Sequence, residues 1–600
     1  MQLIYFWDGN EKGINFNSNF HFEIENRCLK RIKNKEKKLP QNFFGKDIEN
    51  INCFIGKNGA GKTLLVKSIL GVYRHFLKEK NIIILKKFIS VFEENNELYV
   101  LRGTKNIKIE LENFILIDEE KDFKKYFDLK YIYYTTNLST TFPLSINTNI
   151  INLSLREQLN KFLEKKSNKL FLDTDPENFF EKYYQNIFQD ILNFIINEEI
   201  LIESIPDKSF KEKLISIKEK GEICCILNIE SFSTENKFLE KIVSFSNSET
   251  LKKDMIIFKI IWEYLSRWLF SNIKQKIIKE EIILELVERP LKRELKNWIV
   301  EMINILISKI NSYKIKKRAV LDIQVLEIIK EILTYKNVYF YEKEMTFRYS
   351  ENKELLKKIY TLPQLDYQED LFKIGFKERF SSGELEFLNL IIALKRCGAN
   401  VHEKNIIFFL EELEAFMHPE WQRKIIDFLS NLKDSLPWLQ NKKIQIILTS
   451  HTPFIVGDLP ETNIIFLENK KVVENSAKTF GSNIYDLFKD NFLLESCFGE
   501  FSRKKIKKVI DLLDKENGKY NIEEIEKNII EIEFIIDSIG EPLIKNRLDK
   551  MYNDYKEFKN IENSKDNNEE IDFKKYIKEN NLNLSEVMKI LEERKNDKTI

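Results

Sequence analysis

Residues 56–63 read Gly56-Lys57-Asn58-Gly59-Ala60-Gly61-Lys62-Thr63, and no other stretch limits the fold of this chain so tightly. An apolar run, Ile51-Asn52-Cys53-Phe54-Ile55, comes before it, and helically spaced Leu64, Leu65, Ile69 and Val72 follow. Strand, glycine loop and helix in that order make a phosphate loop. Its glycines let the backbone wind around an anion with successive N–H groups turned inward. The helix N-terminus adds positive potential. Lys62 then reaches the outer phosphates, and Thr63 offers its hydroxyl to Mg²⁺. The competing reading is an ordinary Gly-rich turn. It is disfavoured because the whole 600-residue chain holds only 17 glycines.

Three later stretches gain meaning from that loop. Ile406-Ile407-Phe408-Phe409-Leu410 is an apolar strand that ends in Glu411 and Glu412. Open α/β sheets bind ligands at such carboxyl ends. One carboxylate can hold a metal, and the other can orient and deprotonate an attacking water. Taken alone, paired acids after an apolar run are common in a chain that is 32% charged. Phe380-Ser381-Ser382-Gly383-Glu384 opens an apolar helix carrying Leu385, Phe387, Leu388, Ile391 and Leu394. Ser381 and Gly383 at a helix N-terminus form a second anion site, or simply a helix cap. Ile446-Ile447-Leu448 leads into Thr449-Ser450-His451-Thr452-Pro453. A lone histidine is usually structural, but at this strand end His451 can face the same crevice and sense a γ-phosphate.

Composition narrows the class. Lys+Arg is 96 and Asp+Glu is 95, so the net charge is 96 − 95 = +1. No global field draws in nucleic acid, and such binding has to be local. Three basic clusters qualify: Arg27, Lys30, Arg31, Lys33, Lys35, Lys37 and Lys38; Lys314, Lys316, Lys317 and Arg318; and Arg503, Lys504, Lys505, Lys507 and Lys508. Each also reads as solvated surface. Six scattered cysteines without a Cys-x-x-Cys, and five histidines, exclude a disulfide framework and a zinc site. The most apolar long stretch, 255–270, carries Lys259, Glu263 and Arg267, so no membrane partner is expected. A cytoplasmic setting fits the thiols and the absence of a basic leader.

The expected organisation has four parts. Residues 1–150 form a strand-rich lobe holding the phosphate loop. It has strands at 1–7, an alternating strand at 14–24, a hairpin at 82–101 turning at 93–96, and a strand at 131–134. Residues 151–336 are a helical insertion with start signals at Asp175-Pro176-Glu177, Ser248 and Pro290, read as an arm, a lid or a packed subdomain. Residues 337–490 return to α/β: strands at 337–348, 406–410 and 444–448, helices at 383–396 and 419–432, and a hairpin at 464–473. Residues 491–600 are helical and highly charged, with 561–572 read as a loop or linker.

These elements, in this order, resemble an ABC-type ATPase head of the RecF and SMC kind. That resemblance implies an α/β fold: a P-loop NTPase mixed sheet, an antiparallel N-terminal subdomain, a large helical insertion and a helical C-terminal region. Gly56–Thr63 matches Walker A, so Asn58, Gly59, Ala60, Gly61, Lys62 and Thr63 would hold ATP. Ser381, Ser382, Gly383 and Glu384 match the ABC signature and would touch the nucleotide of a second head. Glu411 matches the Walker B acid and would hold Mg²⁺ with Thr63; Glu412 matches the catalytic glutamate and His451 the switch histidine. The segment from Glu414 to Trp421 resembles the D-loop region, and Asn137 is the nearest match to a Q-loop. The resemblance covers roughly 1–150 and 337–490. It implies a homodimer or higher homo-oligomer with ATP sandwiched between heads.

Thr449–Phe454, Thr479–Ile484 and Gly499-Glu500-Phe501 look like the ATPase subunits of Septu-type and retron-associated anti-phage systems. Those families pair the ATPase with a separate HNH nuclease, so a nuclease or other effector subunit is the expected partner, with DNA or RNA as a further one. Glu411 stands where most heads have Asp, which implies slow hydrolysis. A RecF-like repair ATPase without a nuclease is the main alternative. An overcoming-lysogenization-type nuclease lacks its Toprim acids here, and a transporter ATPase fits neither the insertion nor the missing membrane segment.

Overall fold

The computed structural model describes residues 1–76 and 87–136 apart from 11 and 36–38, and 150–158 apart from 156. It further describes 187–227 apart from 189, 204 and 206, scattered positions between 300 and 354, 372–487 apart from 475–477 and 485, and 498–579 apart from 516–519. The chain divides into two compact units, Met1–Leu493 and Leu494–Ile600. The first 152 residues supply β1 (Gln2–Trp7), β2 (Ile14–Asn15), β3 (Phe22–Glu25), β4 (Cys28–Arg31), β5 (Ile48–Ile55), β6 (Ile89–Glu94), β7 (Glu97–Arg102), β8 (Lys108–Glu110), β9 (Phe114–Ile117), β10 (Leu129–Thr135) and β11 (Ile150–Asn152). Later come β12 (Glu222–Leu227), β13 (Val338–Tyr341), β14 (Glu344–Arg348), β15 (Phe372–Phe376), β16 (Asn405–Glu411), β17 (Lys443–Ser450), β18 (Ile464–Glu468) and β19 (Lys471–Val473).

The central sheet has the order β11-β10-β16-β17-β5-β18-β19. Its pairs are parallel except for the β18–β19 hairpin. Every residue of β16 is buried. A parallel strand covered on both faces needs a continuous apolar run, which Ile406–Leu410 provides. Large apolar clusters lie on the two faces. Leu388, Phe408, Phe428 and Leu448 belong to one, and Val66, Ile69, Phe54 and Phe409 to the other. The phosphate-loop helix Lys62–Phe76 packs on the second face and the helix Ser382–Cys397 on the first.

The N-terminal lobe is a sheet of order β2-β1-β6-β7-β9, with a small sheet β3-β4-β8 beside it. Its hairpin β6–β7 turns at Asn95 and Asn96, both with positive φ (52° and 69°), as a tight hairpin turn requires. The ladder starts at Ile89; 82–86 lie outside the described residues. The alternation at 14–24 is not one strand. Asn17 accepts from the Asn19 N–H at 2.8 Å, and this Asx turn separates β2 from β3. Gln445 ties lobe to sheet. Its amide accepts from Leu3 N–H at 2.8 Å and donates to Leu3 C=O at 2.9 Å, fully buried.

Within the insertion, the described residues include helices Glu199–Glu203 and Lys208–Lys220, the latter capped by Asp207. The helical reading of 151–336 needs correction at its start, where β11 runs on to Asn152, and at β12, which is a strand. It lies between β14 and β15 in an antiparallel sheet ordered β13-β14-β12-β15. A short apolar run such as Ile223-Cys224-Cys225-Ile226-Leu227 carries no period that separates strand from helix. The start signals at Asp175, Ser248 and Pro290, the stretch 255–270 and Asn137 lie outside the described residues.

The expected helix 419–432 is broken into Pro419–Gln422, Ile425–Ser430 and Leu432–Ser435. At the second break the Asn431 amide donates to Asp427 C=O, a local bond that competes with the helical ladder. The second unit holds helices Glu500–Leu513, Ile522–Lys527, Ile529–Ser538 and Pro542–Glu579 around Val509, Leu513, Ile525, Ile532 and Tyr555. The stretch 561–572 is part of the last helix, not a linker. Its polar composition gives no packing signal, but extending an already nucleated helix costs little. Among the described residues no helix is long and apolar enough to cross a membrane.

Gln445→Leu keeps the volume but leaves the Leu3 N–H and C=O buried without partners. The expected loss is about 2 kcal/mol or more, read as a lower midpoint in urea unfolding.

Candidate functional site

The parallel register sets the site. Leu410 stands beside Leu448 and Leu448 beside Cys53; one residue on, Glu411 stands beside Thr449 and Thr449 beside Phe54. Three strands therefore release Gly56, Glu412 and His451 at one sheet edge. The loop between β5 and the helix Lys62–Phe76 is exposed at Lys57, Asn58 and Gly59 and buried at Ala60 and Lys62. Gly59 and Gly61 have φ of +79° and +101°, which L side chains rarely adopt. A Cβ on Gly56 would stand 2.3 Å from the carbonyl oxygen of Leu467. The β18–β19 turn thus braces the loop, and Lys470 N–H donates to Ala60 C=O at 3.0 Å.

Lys62 folds across its own loop, its Nζ donating to Gly56 C=O at 3.0 Å and reaching Lys57 C=O at 3.5 Å. Burial pulls the ammonium below its ordinary pKa, and the nearby Glu412 charge works against that. An anion entering the loop would have the same effect as Glu412 and more strongly.

Glu411 is buried, and burial raises its pKa against hydrogen bonds from Tyr133 and Thr63. The Tyr133 hydroxyl donates to Oε2 at 2.5 Å, while Oε1 has no hydrogen-bond partner. That orphaned oxygen beside Thr63 fits Mg²⁺, which takes one or two protein oxygens and completes its shell with water and phosphate. Among the described residues no group of three His, Cys, Asp or Glu is placed to hold a metal without such help.

Glu412 has φ +51°, in the left-handed region, and its N–H is pinned to Thr449 C=O at 3.0 Å. Backbone strain of this kind costs on the order of 1–3 kcal/mol and gathers at functional positions. It swings the carboxylate away from the strand's alternation and towards His451, whose Nε2 lies 3.4 Å from Glu412 Oε1. The hydrogen bond with His451 holds the Glu412 carboxyl below its usual range, which favours the ionised form. Both side chains are about one-third exposed, open enough to meet a ligand.

The other expected residues open the helix Ser382–Cys397, which packs on the opposite face of the central sheet from the phosphate-loop helix. Ser381 and Ser382 are exposed at the start of the helix Ser382–Cys397. Ser381 and Glu384 form a reciprocal capping box. The contacts of these residues run to Phe416 and Lys213. A Cβ on Gly383 would meet the Phe416 carbonyl oxygen at 2.7 Å, and Lys213 pairs with Glu384. Phe416 itself is 55% exposed, next to that helix end.

Sequence reasoning missed Tyr133 and Gln422, and it placed Glu414 only in the segment resembling a D-loop region, not as a buried hydrogen-bond partner. Buried Glu414 accepts from Ser450 Oγ at 2.6 Å and from His451 N–H at 2.8 Å, so it fixes the histidine's backbone. Gln422 donates to Met417 C=O at 3.0 Å and accepts from Thr452 Oγ1 at 2.7 Å, joining the segment after Glu412 to the one after His451. Only the short spacing from Glu412 to Glu414 was visible in the chain. The basic clusters are largely paired: Lys30, Lys33 and Lys35 with Glu110, Glu112 and Glu23, and Arg503, Lys504, Lys505 and Lys508 with Glu500 or Glu531. The 314–318 cluster lies outside the described residues.

The family described as "AAA domain, putative AbiEii toxin, Type IV TA system" matches residues 279–457. The match takes in Ser381, Gly383, Glu411, Glu412 and His451 but stops short of the phosphate loop, which lies far upstream. Among curated proteins none matches the chain. The matched segment is similar to that AAA domain, which supports a P-loop ATPase reading with nucleotide-dependent activity.

Tyr133→Phe removes the hydroxyl that orients Glu411 beside Thr63. The Mg²⁺ concentration for half-maximal turnover is expected to rise roughly tenfold, with kcat at saturating Mg²⁺ changing less, in a Mg²⁺ titration of ATP hydrolysis.

Proposed function

We propose that this chain is an ABC-type ATPase that binds Mg-ATP between two heads and uses the nucleotide-dependent dimer to control a separate effector, an HNH nuclease, in anti-phage defence. The observation that carries the ATPase part is the split geometry. Lys62, Thr63, Glu411, Glu412 and His451 meet at one sheet edge, while Ser381 and Ser382 expose a helix N-terminus whose buried Gly383 is backed by Phe416. Each copy then holds two incomplete halves of one site, and a head-to-tail pair completes both.

The phosphate loop binds the triphosphate in the cradle that Lys62 now spans. A cavity of about 420 Å³ beside Gly61, lined in part by Asp8, Lys12, Leu64 and Lys470, has room for the nucleoside end. Mg²⁺ held by Thr63 and Glu411 would neutralise phosphate charge. Glu412 orients water and takes its proton, and His451 stabilises the resulting charge from the side that Glu414 holds. Ser381 and the helix N-terminus of the second copy close the site. Glu411 brings the Walker B oxygen further from its strand than Asp would, which favours slow turnover and a long-lived closed state. Control of a nuclease rests on the sequence resemblance, and the pairing of most described residues in the 27–38 and 503–508 basic clusters favours a protein effector over direct DNA repair.

Lys62→Ala removes a charge-assisted contact and is expected to weaken ATP binding roughly ten- to a hundredfold in calorimetry; unchanged affinity counts against the site. Glu412→Gln keeps binding, stops turnover and accumulates an ATP-dependent dimer by light scattering. Parental turnover in that variant shows that another group is the base. Co-purification with the neighbouring gene product, with and without Mg-ATP, tests the effector: a nuclease retained in one nucleotide state supports it, and gap-specific DNA binding by the chain alone favours the repair reading.

A further inference from the structure

The insertion grips the signature helix at both ends. At the N-terminal end, Lys213 on the helix Lys208–Lys220 donates to Glu384 Oε2 at 2.9 Å, to Glu384 Oε1 at 3.2 Å and to Arg379 C=O at 2.9 Å. Its ammonium also lies 4.9 Å from the centre of the Phe380 ring. At the C-terminal end, Lys395 pairs with Glu198 and Arg396 with Asp190, both acids belonging to the insertion. Phe210 packs between Phe380 and Trp421, with ring centroids 6.2 and 5.1 Å away. The approach to the signature is held too. β12 pairs with β15, and Lys377 N–H donates to Glu222 C=O at 3.0 Å, four residues before Ser381.

Glu384 poses an electrostatic problem for the proposed site. Its Oε2 accepts from Ser381 N–H at 2.6 Å, so a carboxylate sits on the helix N-terminus that has to receive a triphosphate. A negative charge there opposes the incoming one, and the helix dipole offsets it only in part. Lys213 supplies the missing positive charge, and it comes from the insertion rather than from the head.

We propose that Lys213 is a positioning residue of the composite nucleotide site. It neutralises Glu384, fixes the signature helix N-terminus, and makes the insertion a control element for head closure. The inference rests on the two-headed reading above. A trigger that shifts the helix Lys208–Lys220 would withdraw the ammonium, leave Glu384 uncompensated and oppose closure. By linkage, closure in turn favours the gripped state of the insertion.

The experiment uses the full chain carrying Glu412→Gln and compares it with versions that also carry Lys213→Met, or Lys213→Met with Glu384→Gln. Methionine keeps an unbranched stem over Phe380, and glutamine can still accept from Ser381 N–H in the capping box. ATP affinity of the single head is read by calorimetry at low protein concentration, and ATP-driven dimerisation by light scattering. Lys213→Met is expected to leave ATP affinity within about twofold, which also reports a folded head, and to weaken dimerisation at least tenfold. Adding Glu384→Gln is expected to restore dimerisation to within about threefold of the parent, a rescue that a packing role would not give. Parental dimerisation in Lys213→Met, or a double variant no better than the single one, overturns the proposal. If the Glu412→Gln parent itself binds ATP but never dimerises, the two-headed reading fails, and this inference with it. Should Lys213→Met not bind ATP, Lys213→Gln in the same series replaces it with the same criteria.

Discussion

The shared hydrogen-bonded register of β5, β17 and β16 turns three remote stretches of chain into one site. A parallel ladder has no freedom to slip while both faces are buried, because a one-residue shift would turn apolar side chains against the wrong layer. Once Glu411 is abreast of Thr449 and Thr449 abreast of Phe54, the residues that follow each strand must meet. Lys62, Glu412 and His451 need no contact of their own to find each other. The loop between β18 and β19 adds the last restraint by closing on Gly56 and Gly61 from behind.

Charge at that edge is arranged at a cost. Glu411 and Glu414 are buried carboxylates with raised pKa, and each keeps an oxygen without a partner. Burial lowers the Lys62 pKa. Groups like these weaken a fold unless something else satisfies them. Tyr133, Thr63, Ser450 and the His451 N–H satisfy them in part. The left-handed backbone of Glu412 belongs to the same account, since strain there aims the carboxylate at His451. A site already strained and underbonded gains more from a bound metal and phosphate than a relaxed one would.

Much of this was legible along the chain. The phosphate loop, the strand before it and the helix after it come from local residues whose preferences agree. Glu411, Glu412 and His451 were legible as strand-end residues, and Ser381 with Gly383 as the start of a helix. Other features were not. β12 is too short to show a period. The polar tail of Pro542–Glu579 hides a helix that its packed first half sustains. Asn17 breaks an alternation that composition alone would extend.

The sequence by itself determined where the phosphate-loop pattern stands, which acids stand beyond an apolar strand, and that the chain is an α/β protein. These are local matters, set by glycine freedom, side-chain period and capping chemistry over a few residues. Only the tertiary structure decided that Tyr133 braces Glu411, that Glu414 and Gln422 hold the segments around His451, and that Lys213 answers the charge of Glu384. Those pairs are separated by tens to hundreds of residues, and no local preference encodes them. They exist because strand order and helix packing bring the backbones close, and a side chain then bonds to whatever that packing has put within reach.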